Sequence, residues 1–266
     1  MNYLIAKDFE DALRLRAQYR DYDLLHGGSD LVLKLKKSGS EGIIDLSHLK
    51  ELKTIERHKD FVRIGALCSI SEILQNDMIG EEFPLLVAVS KHFASHQIRN
   101  IATLAGNIAN DSPVADLITP LLVLQSRVEL SAVGKKRTLL LEDLFVGFKT
   151  LDLHDEMISA FEIPRAKRQW YYKKVGSRAR LNISKLSIAV VKKDQKFFVC
   201  GSSLNPYVKR FFHVEKLLDT GLFDETRLEE ALKKDIRPSG SFRSTQSYRY
   251  KVAMNLIQDA LEKFGL

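Results

Sequence analysis

Two loops of this 266-residue chain carry small and polar residues in patterns that suit a phosphate-bearing ligand. The first is residues 26–30, His-Gly-Gly-Ser-Asp, which separate a short apolar run from a helical pattern. Two glycines can adopt positive φ and leave amide N–H groups uncovered, so a pyrophosphate can approach them closely. Ser29 adds a hydroxyl donor, and the following helix contributes its positive end. Taken alone, the same residues are also explained as a plain strand-to-helix turn.

The second loop begins at Thr103, which offers a hydroxyl group. Gly106 offers an accessible backbone, and Asn107 an amide that can both donate and accept. Ser112 and Asp116 follow, and an Asp near a polyol chain is a good acceptor for ribose or ribityl hydroxyls. The alternative is a polar loop in which Ser112 and Asp116 are helix caps. Together, the two loops suggest a flavin cofactor held between them.

Composition narrows the class of protein. An apolar fraction of 45% and a charged fraction of 28% are typical of a soluble globular protein. The sequence contains no apolar run of 18 residues and no N-terminal secretory pattern, so we expect a cytoplasmic protein without a membrane span. The net charge of +7 is dispersed among 34 acidic residues, which does not favour nucleic-acid binding.

The two cysteines, Cys68 and Cys200, are interpreted as buried and reduced. Two thiols cannot ligate an iron–sulfur cluster, which needs about four. If the protein transfers electrons through clusters, a partner must carry them. His92 and His96 have the i, i+4 spacing of a helical metal site, but no third ligand is evident, so capping or solvated histidines are the preferred interpretation.

The hydrophobic pattern predicts α+β units with a boundary near residue 165. We expect a hairpin around residues 58–60, a capping box at Ser69–Glu72, a helix starting at Pro84 and a buried helix over 114–124. Beyond the boundary, the pattern predicts three successive antiparallel strands followed by helices, with a long helix from about 248 to 264.

Several motifs together resemble the FAD-binding medium subunit of the molybdenum hydroxylases, the xanthine dehydrogenase and carbon monoxide dehydrogenase family. Their order and spacing over nearly the whole length make the resemblance specific. The matching segments are residues 27–30, 43–46, 64–66, 95–100, 102–108, 112–113 with Asp116, 156–164, Arg243 and the pair Tyr248-Arg249.

The resemblance implies an α+β fold with two domains. Residues 1–165 would form a two-subdomain FAD-binding domain of the PCMH/vanillyl-alcohol-oxidase type, split near residues 50–60. Residues 166–266 would form a smaller α+β C-terminal domain with an antiparallel sheet and helices. FAD would lie between the subdomains.

The resemblance also implies which residues contact FAD, and it implies no catalytic acid or base and no metal ligand in this chain. Asp116 would accept from a sugar or ribityl hydroxyl, with Ser112 nearby. Around the adenine or isoalloxazine rings the matching positions are Phe93, Ile158 and Lys174. The pyrophosphate would be held by backbone amides and the Thr103 hydroxyl, within the set His26, Gly27, Gly28, Ser29, Asp30, Thr103, Leu104, Ala105, Gly106 and Asn107.

Two departures from the family pattern affect the cofactor site. Ala105 stands where the family usually has a second glycine. Its methyl group either fits because φ is negative or crowds the pyrophosphate, and we hypothesise weaker FAD retention. In residues 178–183, Arg178 and Arg180 occupy a stretch where the family often places acidic residues, so NAD use does not follow from the resemblance.

The function implied is electron transfer within a complex. A large subunit would bind molybdopterin and a small subunit would carry [2Fe–2S] clusters, and FAD would pass electrons to NAD or another acceptor. The assembly would be a dimer of heterotrimers, with no nucleic acid and no membrane. The alternatives are a stand-alone flavoprotein oxidoreductase, a degenerate subunit that has lost FAD, and a basic nucleic-acid-binding α+β protein. The substrate is not indicated by this chain.

Overall fold

The chain begins with a parallel three-stranded sheet, in a computed structural model that describes residues 1–178, 183–242 and 244–266. The strand order is β1-β3-β2, and helices form the two crossovers. Asp8 is the N-cap of the first helix, and its side chain accepts from the N–H of Asp11. The helix buries Ala12 and Leu13 in one apolar cluster with Ile44. The elements are β1 (Asn2–Ile5), α1 (Phe9–Gln18), β2 (Tyr22–Leu25), α2 (Leu31–Ser38) and β3 (Gly42–Asp45).

A five-stranded antiparallel sheet follows, with strand order β4-β5-β10-β6-β7. A series of short helices connects its second and third strands in the chain, and these helices carry the second predicted loop. The elements are β4 (Ile55–Arg57), β5 (Phe61–Gly65), α3 (Ile70–Gln75), α4 (Asp77–Glu82), α5 (Pro84–Lys91), α6 (His96–Ile101), α7 (Leu104–Ala109), α8 (Ile118–Val123), β6 (Arg127–Ala132), β7 (Lys135–Leu140), β8 (Phe145–Gly147), β9 (Thr150–Leu151) and β10 (Met157–Pro164).

The last part of the chain is an antiparallel sheet covered by helices. Its strands pair in sequence order, as expected for consecutive hairpins. The elements are β11 (Gln169–Val175), β12 (Leu186–Lys193), β13 (Lys196–Ser202), β14 (Lys209–Arg210), α9 (Phe212–Asp219), α10 (Glu225–Asp235) and α11 (Gln246–Lys263).

One hydrophobic core crosses the boundary that the sequence predicts near residue 165. Alternate residues of β12 face opposite sides, so Ile188 and Val190 pack with α9–α11 whereas Ala189 and Val191 pack with the helices of the central region. Helix α8 lies against β12 and β13 and is buried on every side. The C-terminal sheet therefore completes the core of the segment that precedes it.

Several sequence predictions are confirmed. Ser69 and Glu72 form a reciprocal capping box at the start of α3, and Pro84 is the first residue of α5. The hairpin around residues 58–60 is closed by a bond from the His58 N–H to the Phe61 carbonyl. The predicted α+β class is also confirmed.

The helix predicted over 114–124 is wrong in its first turn, because α8 begins only at Ile118. Residues 114–117 instead form turns, in which the Ala115 N–H bonds to the Ser112 carbonyl and the Leu117 N–H bonds to the Asn107 side chain. The apolar content of this stretch correctly predicts that it is buried. Its turn conformation depends on the Asn107 side chain, which lies outside the stretch.

Candidate cofactor-binding site

The loop at residues 26–30 leaves β2 and enters α2, as predicted. Gly28 has φ +61°, a left-handed conformation that glycine adopts without a Cβ penalty. A Cβ atom on Gly27 would lie 1.7 Å from the carbonyl oxygen of Ile101. The loop can therefore pack directly on the backbone between α6 and α7 only because residue 27 is glycine.

This loop presents uncommitted backbone donors. The N–H groups of Gly27, Gly28, Ser29 and Asp30 reach no acceptor in the part of the chain that the structure describes. They lead directly into the amino end of α2, where the Val32 N–H already donates to the Gly28 carbonyl at 3.1 Å. Consecutive free amides at a positive helix end form a concave donor surface that suits a phosphate group.

Lys34 fixes this loop relative to the second one. Its ammonium group pairs with Asp30 one turn earlier and also donates to Asn110 Oδ1 at 2.8 Å. Asn110 lies at the carboxyl end of α7. The contact between Gly27 and Ile101 and the Lys34 bridge together bring residues 26–30 beside α7.

The amides of residues 104–107 are already bonded within the chain. Those of Leu104 and Ala105 donate to the carbonyls of Cys68 and Ala66, at 3.1 and 3.2 Å. Thr103 is the N-cap of α7, and its hydroxyl oxygen accepts from the Gly106 N–H at 3.0 Å. The Thr103 hydroxyl proton remains able to donate, so in this conformation the backbone donors for an anion come from residues 27–30.

Ala105 lies inside α7 and has negative φ, since it is not among the residues in the left-handed region. Its methyl group belongs to the main hydrophobic core. The backbone at this position does not require glycine, which supports the first of the two interpretations given to Ala105.

Asp116 and Lys174 form a buried ion pair beside these loops. The Asp116 Oδ2 to Lys174 Nζ distance is 2.8 Å, and the two side chains are only 10% and 8% exposed. Lys174 also donates to the His92 carbonyl at 3.2 Å. The pair therefore joins the turn after α7 to β11 and to the end of α5, next to Phe93.

One carboxylate oxygen of this pair is not used. Asp116 Oδ1 is buried and has no hydrogen-bond partner in the described ranges. Burial raises the pKa of Asp116, and the Lys174 ammonium opposes that rise. An acceptor in this state is suited to a ligand hydroxyl, because that bond would satisfy a buried oxygen.

Phe93 and Ile158 contribute apolar surface. Both pack on the core cluster that contains Leu104 and Ala105, and Ile158 lies on β10 beside its bulge. The turn after Phe93 includes Ala94 at φ +39°. Which part of a cofactor these side chains contact stays a prediction.

The sequence assigned no role to Lys34 or Arg99. Arg99 Nη1 donates to the carbonyls of Phe93 and Ala94, at 2.8 and 3.2 Å, and so holds the turn at Phe93. The i, i+4 spacing of Asp30 and Lys34 suggests their pairing. No local signal indicates the contact between Lys34 and Asn110, which are 76 residues apart.

His26 is half-buried behind the loop, and its Nδ1 atom has no partner among the described residues. Burial and the charge of Lys53 lower its pKa. Of the two departures noted in the sequence, residues 179–182, including Arg180, lie outside the described residues, as does Arg243 of the C-terminal motif.

The described part of the chain holds neither a candidate metal site nor a membrane-spanning helix. No group of three His, Cys, Asp or Glu side chains there could hold a metal ion. His92 follows α5 and His96 begins α6, so the two do not share one helix. No described helix is both long enough and apolar enough to cross a bilayer.

The chain belongs to the family described as the FAD-binding domain in molybdopterin dehydrogenase, which matches residues 1–166. FAD is therefore the cofactor of this chain, which is an oxidoreductase subunit of the molybdenum hydroxylase type. The residues fit that cofactor, since the free amides of Gly27–Asp30 suit a pyrophosphate and Asp116 Oδ1 suits a hydroxyl.

Relatives and solved structures match this chain over nearly its full length. The chain is 25% identical to the nicotine 6-hydroxylase medium subunit of Paenarthrobacter nicotinovorans, covering 100% of this chain and 97% of that one. It is 27% identical to the xanthine dehydrogenase FAD-binding subunit of Escherichia coli O157:H7, covering 98% and 94%.

The fold matches a chain of the Cu,Mo-CO dehydrogenase with a TM-score of 0.90 at 23% identity, covering 98% and 96% of the two chains. It also matches a chain of quinoline 2-oxidoreductase from Pseudomonas putida 86 with a TM-score of 0.88 at 18% identity, covering 99% and 96%. These two similarities confirm the predicted fold.

Proposed function

We propose that this chain is the electron-transfer subunit of a molybdenum-containing hydroxylase, taking electrons from [2Fe–2S] clusters on a partner and delivering them to NAD or another acceptor. The observation that carries the proposal is that the free amides of residues 27–30 lie beside α7, while the turn after α7 holds the buried, unsatisfied Asp116 Oδ1. Bound FAD supplies the redox chemistry. The residues of this chain bind and orient the cofactor and exclude water from it.

The proposed contacts divide by chemistry. Gly27 to Asp30 donate to the pyrophosphate through backbone N–H groups, and the Thr103 hydroxyl adds a further donor. Asp116 accepts from a ribityl or ribose hydroxyl, and Lys174 holds that carboxylate in place. Phe93 and Ile158 cover apolar ring surface, and Ser112, Asn107 and His26 shape the surrounding loops.

The clusters belong on another subunit because this chain lacks the ligands for them. Its two cysteines, Cys68 and Cys200, are both buried and free. Burial raises the pKa of the Cys68 thiol to about 12, so it is not a thiolate at neutral pH. Buried free thiols also suit a reducing compartment, which supports a cytoplasmic location.

The names of the relatives support a heteromeric assembly, since they are called medium subunits or medium chains. We propose a large partner that binds molybdopterin and a small partner that carries the [2Fe–2S] clusters, arranged as a dimer of heterotrimers. The substrate would bind on the large partner, so this chain does not select it.

The first experiment is reconstitution of the purified full chain with FAD, followed by desalting and an absorption spectrum. We expect retained flavin bands, and denaturation should release FAD rather than FMN. An Asp116→Asn variant should retain less flavin, and Gly80→Ala, a helix position with open space around it, is the matched control. A chain that stays colourless after reconstitution would instead indicate a subunit that has lost FAD.

The second experiment tests electron transfer and partners. The tagged chain is purified with its native complex, and molybdenum and iron are measured per flavin. We expect molybdenum and iron to co-purify with the flavin in a fixed ratio, with flavin bleaching when substrate or dithionite reduces the complex. Reoxidation in anaerobic buffer with NAD⁺ identifies the acceptor. A flavin that turns over an organic substrate in the isolated chain would favour a stand-alone oxidoreductase.

A further inference from the structure

The turn that carries Asp116 is held from the C-terminal sheet. The Pro113 carbonyl accepts a hydrogen bond from the Ser203 N–H at 2.7 Å. Ser203 directly follows β13, and Pro113 lies three residues before Asp116. This bond supports the turn from outside its own segment, whereas the Ala115 to Ser112 bond is local.

Ser203 has an unfavourable backbone conformation. Its φ is +64°, in the left-handed region that a residue with a Cβ atom rarely adopts. Ser203 is also buried, and its hydroxyl oxygen has no hydrogen-bond partner within the described residues. Such a conformation persists only where the surroundings impose it.

Arg249 of α11 binds the Ser203 carbonyl. Its Nη1 atom donates to the Ser203 carbonyl at 2.7 Å, and the residue is only 7% exposed. The same guanidinium donates from Nε to Ser244 Oγ at 2.8 Å and from Nη2 to Ser241 Oγ at 2.9 Å. Because the planar guanidinium group makes three hydrogen bonds, it holds the Ser203 carbonyl in one orientation.

We propose that Arg249 is a positioning residue for FAD, acting through Ser203 and Pro113 on the turn that carries Asp116. Arg249 holds the Ser203 carbonyl, the left-handed Ser203 directs its N–H at Pro113, and that bond sets where Asp116 lies. The inference rests on the proposed function of Asp116 as a ligand for a hydroxyl of FAD.

The test compares FAD affinity with folding in the full chain. Arg249→Gln should weaken FAD binding by at least about tenfold, measured by flavin fluorescence well below the unfolding temperature. The visible circular dichroism of the remaining bound flavin should change, because Asp116 moves. Arg249→Lys, which keeps a cationic donor, should have a smaller effect.

Arg210 offers a matched control. It is a largely buried arginine of β14, in the C-terminal sheet, and it pairs with Glu215 and Glu142 rather than with Ser203. Arg210→Gln should lower the unfolding temperature but leave FAD affinity within about twofold, since the turn at Asp116 keeps its support. Equal losses of affinity in the Arg249 and Arg210 variants would mean that general destabilisation is the cause, and would overturn the proposal.

A rescue experiment tests the route through Ser203. Ser203→Gly keeps the N–H donor and removes the Cβ penalty at φ +64°, so it should restore FAD affinity in the Arg249→Lys background. Failure of this rescue overturns the route, even if Arg249→Gln does not fold. A wild-type chain that binds no FAD would overturn the proposed function itself, whereas normal wild-type binding with unchanged Arg249 variants overturns only this inference.

Discussion

Gly27 packs directly on the backbone that leads into the second cofactor loop. A Cβ atom there would meet the Ile101 carbonyl at 1.7 Å, so Gly27→Ala must push residues 26–30 away from α7. We expect FAD affinity to fall by at least about tenfold, because the amides then no longer face the second loop. Flavin fluorescence titration measures this effect.

Gly80→Ala is the control, since a Cβ atom there meets no atom within 4 Å. It lies inside α4, where alanine should stabilise the protein by up to about 1 kcal/mol. An FAD affinity of Gly27→Ala equal to that of Gly80→Ala would show that the close packing of the two loops does not matter for binding.

Ala105 bears on the hypothesis that this chain holds FAD weakly. Because its methyl group lies in the core and its backbone is helical, Ala105→Gly should leave FAD affinity within about twofold of wild type. The same substitution should lower the free energy of unfolding by about 1 kcal/mol, through helix propensity. Chemical denaturation and flavin titration separate the two effects. Tenfold tighter binding in the glycine variant would instead restore the crowding interpretation.

Asp111 carries a buried carboxyl group beside the β8–β9 hairpin. The residue is 1% exposed, and neither carboxylate oxygen has a hydrogen-bond partner in the described segments. Burial raises its pKa from 3.8 to about 6, and the backbone of Thr150 and Lys149 only partly opposes the rise. No local pattern predicts this burial, because it depends on a hairpin nearly 40 residues later.

The raised pKa of Asp111 determines how the stability of the fold should change with pH. The contribution of the Asp111 carboxyl group to stability is fully present below pH 3.8. It is lost as the pH rises through about 6, because the folded state then holds a buried charge. Asp111→Asn should therefore gain stability relative to wild type between pH 4 and 7, by about 2 kcal/mol. Thermal unfolding at several pH values measures the difference, and a pH-independent difference would contradict the burial argument.

At the scale of elements, Glu129 of β6 links neighbouring strands of the five-stranded sheet through its side chain. Its carboxylate accepts from Arg63 of β5 at 2.9 Å, from Lys136 of β7 at 2.6 Å and from Ser159 of β10 at 2.6 Å. Burial alone would raise its pKa, but these partners outweigh burial and lower it from 4.5 to about 2.

Glu129 therefore has the opposite pH dependence to Asp111. Its contribution is present above pH 4.5 and is lost as the pH falls towards 2. Glu129→Gln should lower the free energy of unfolding at pH 7 by about 3 kcal/mol, because it leaves Arg63 and Lys136 without their charge partner. The gap between variant and wild type should narrow below pH 4.5 in denaturation curves. A constant gap down to pH 2.5 would show that the ion pairs do not contribute.

Elements were predictable from the sequence where their signals are local. The capping box at Ser69 and the Pro84 start depend on residues within one turn, and both are confirmed. Strand β7 was not predicted, because Lys135, Lys136 and Arg137 make its first half polar. Its extended conformation depends on antiparallel pairing with β6. The first turn predicted for α8 is wrong because the Leu117 N–H bonds to the side chain of Asn107, which lies outside the predicted helix.

At the scale of the whole molecule, the predicted boundary near residue 165 divides the site as well as the core. Lys174 lies beyond it and neutralises Asp116, and Ser203 beyond it holds Pro113. Helix α8 lies before the boundary but packs on β12 and β13. The proposed FAD-binding domain of residues 1–165 therefore depends on the C-terminal residues for both packing and charge balance.

A fragment of residues 1–165 tests this dependence. Without β12 and β13 the apolar face of α8 is exposed, and Asp116 is left buried or drawn towards water without its cation. We expect the fragment to aggregate or to lack a cooperative thermal transition. The full chain should unfold in a single transition, seen at the same temperature by near-ultraviolet circular dichroism and by flavin release. A fragment that melts cooperatively and binds FAD as tightly as the full chain would show that residues 1–165 are autonomous, and that the shared core is packing between two independent domains.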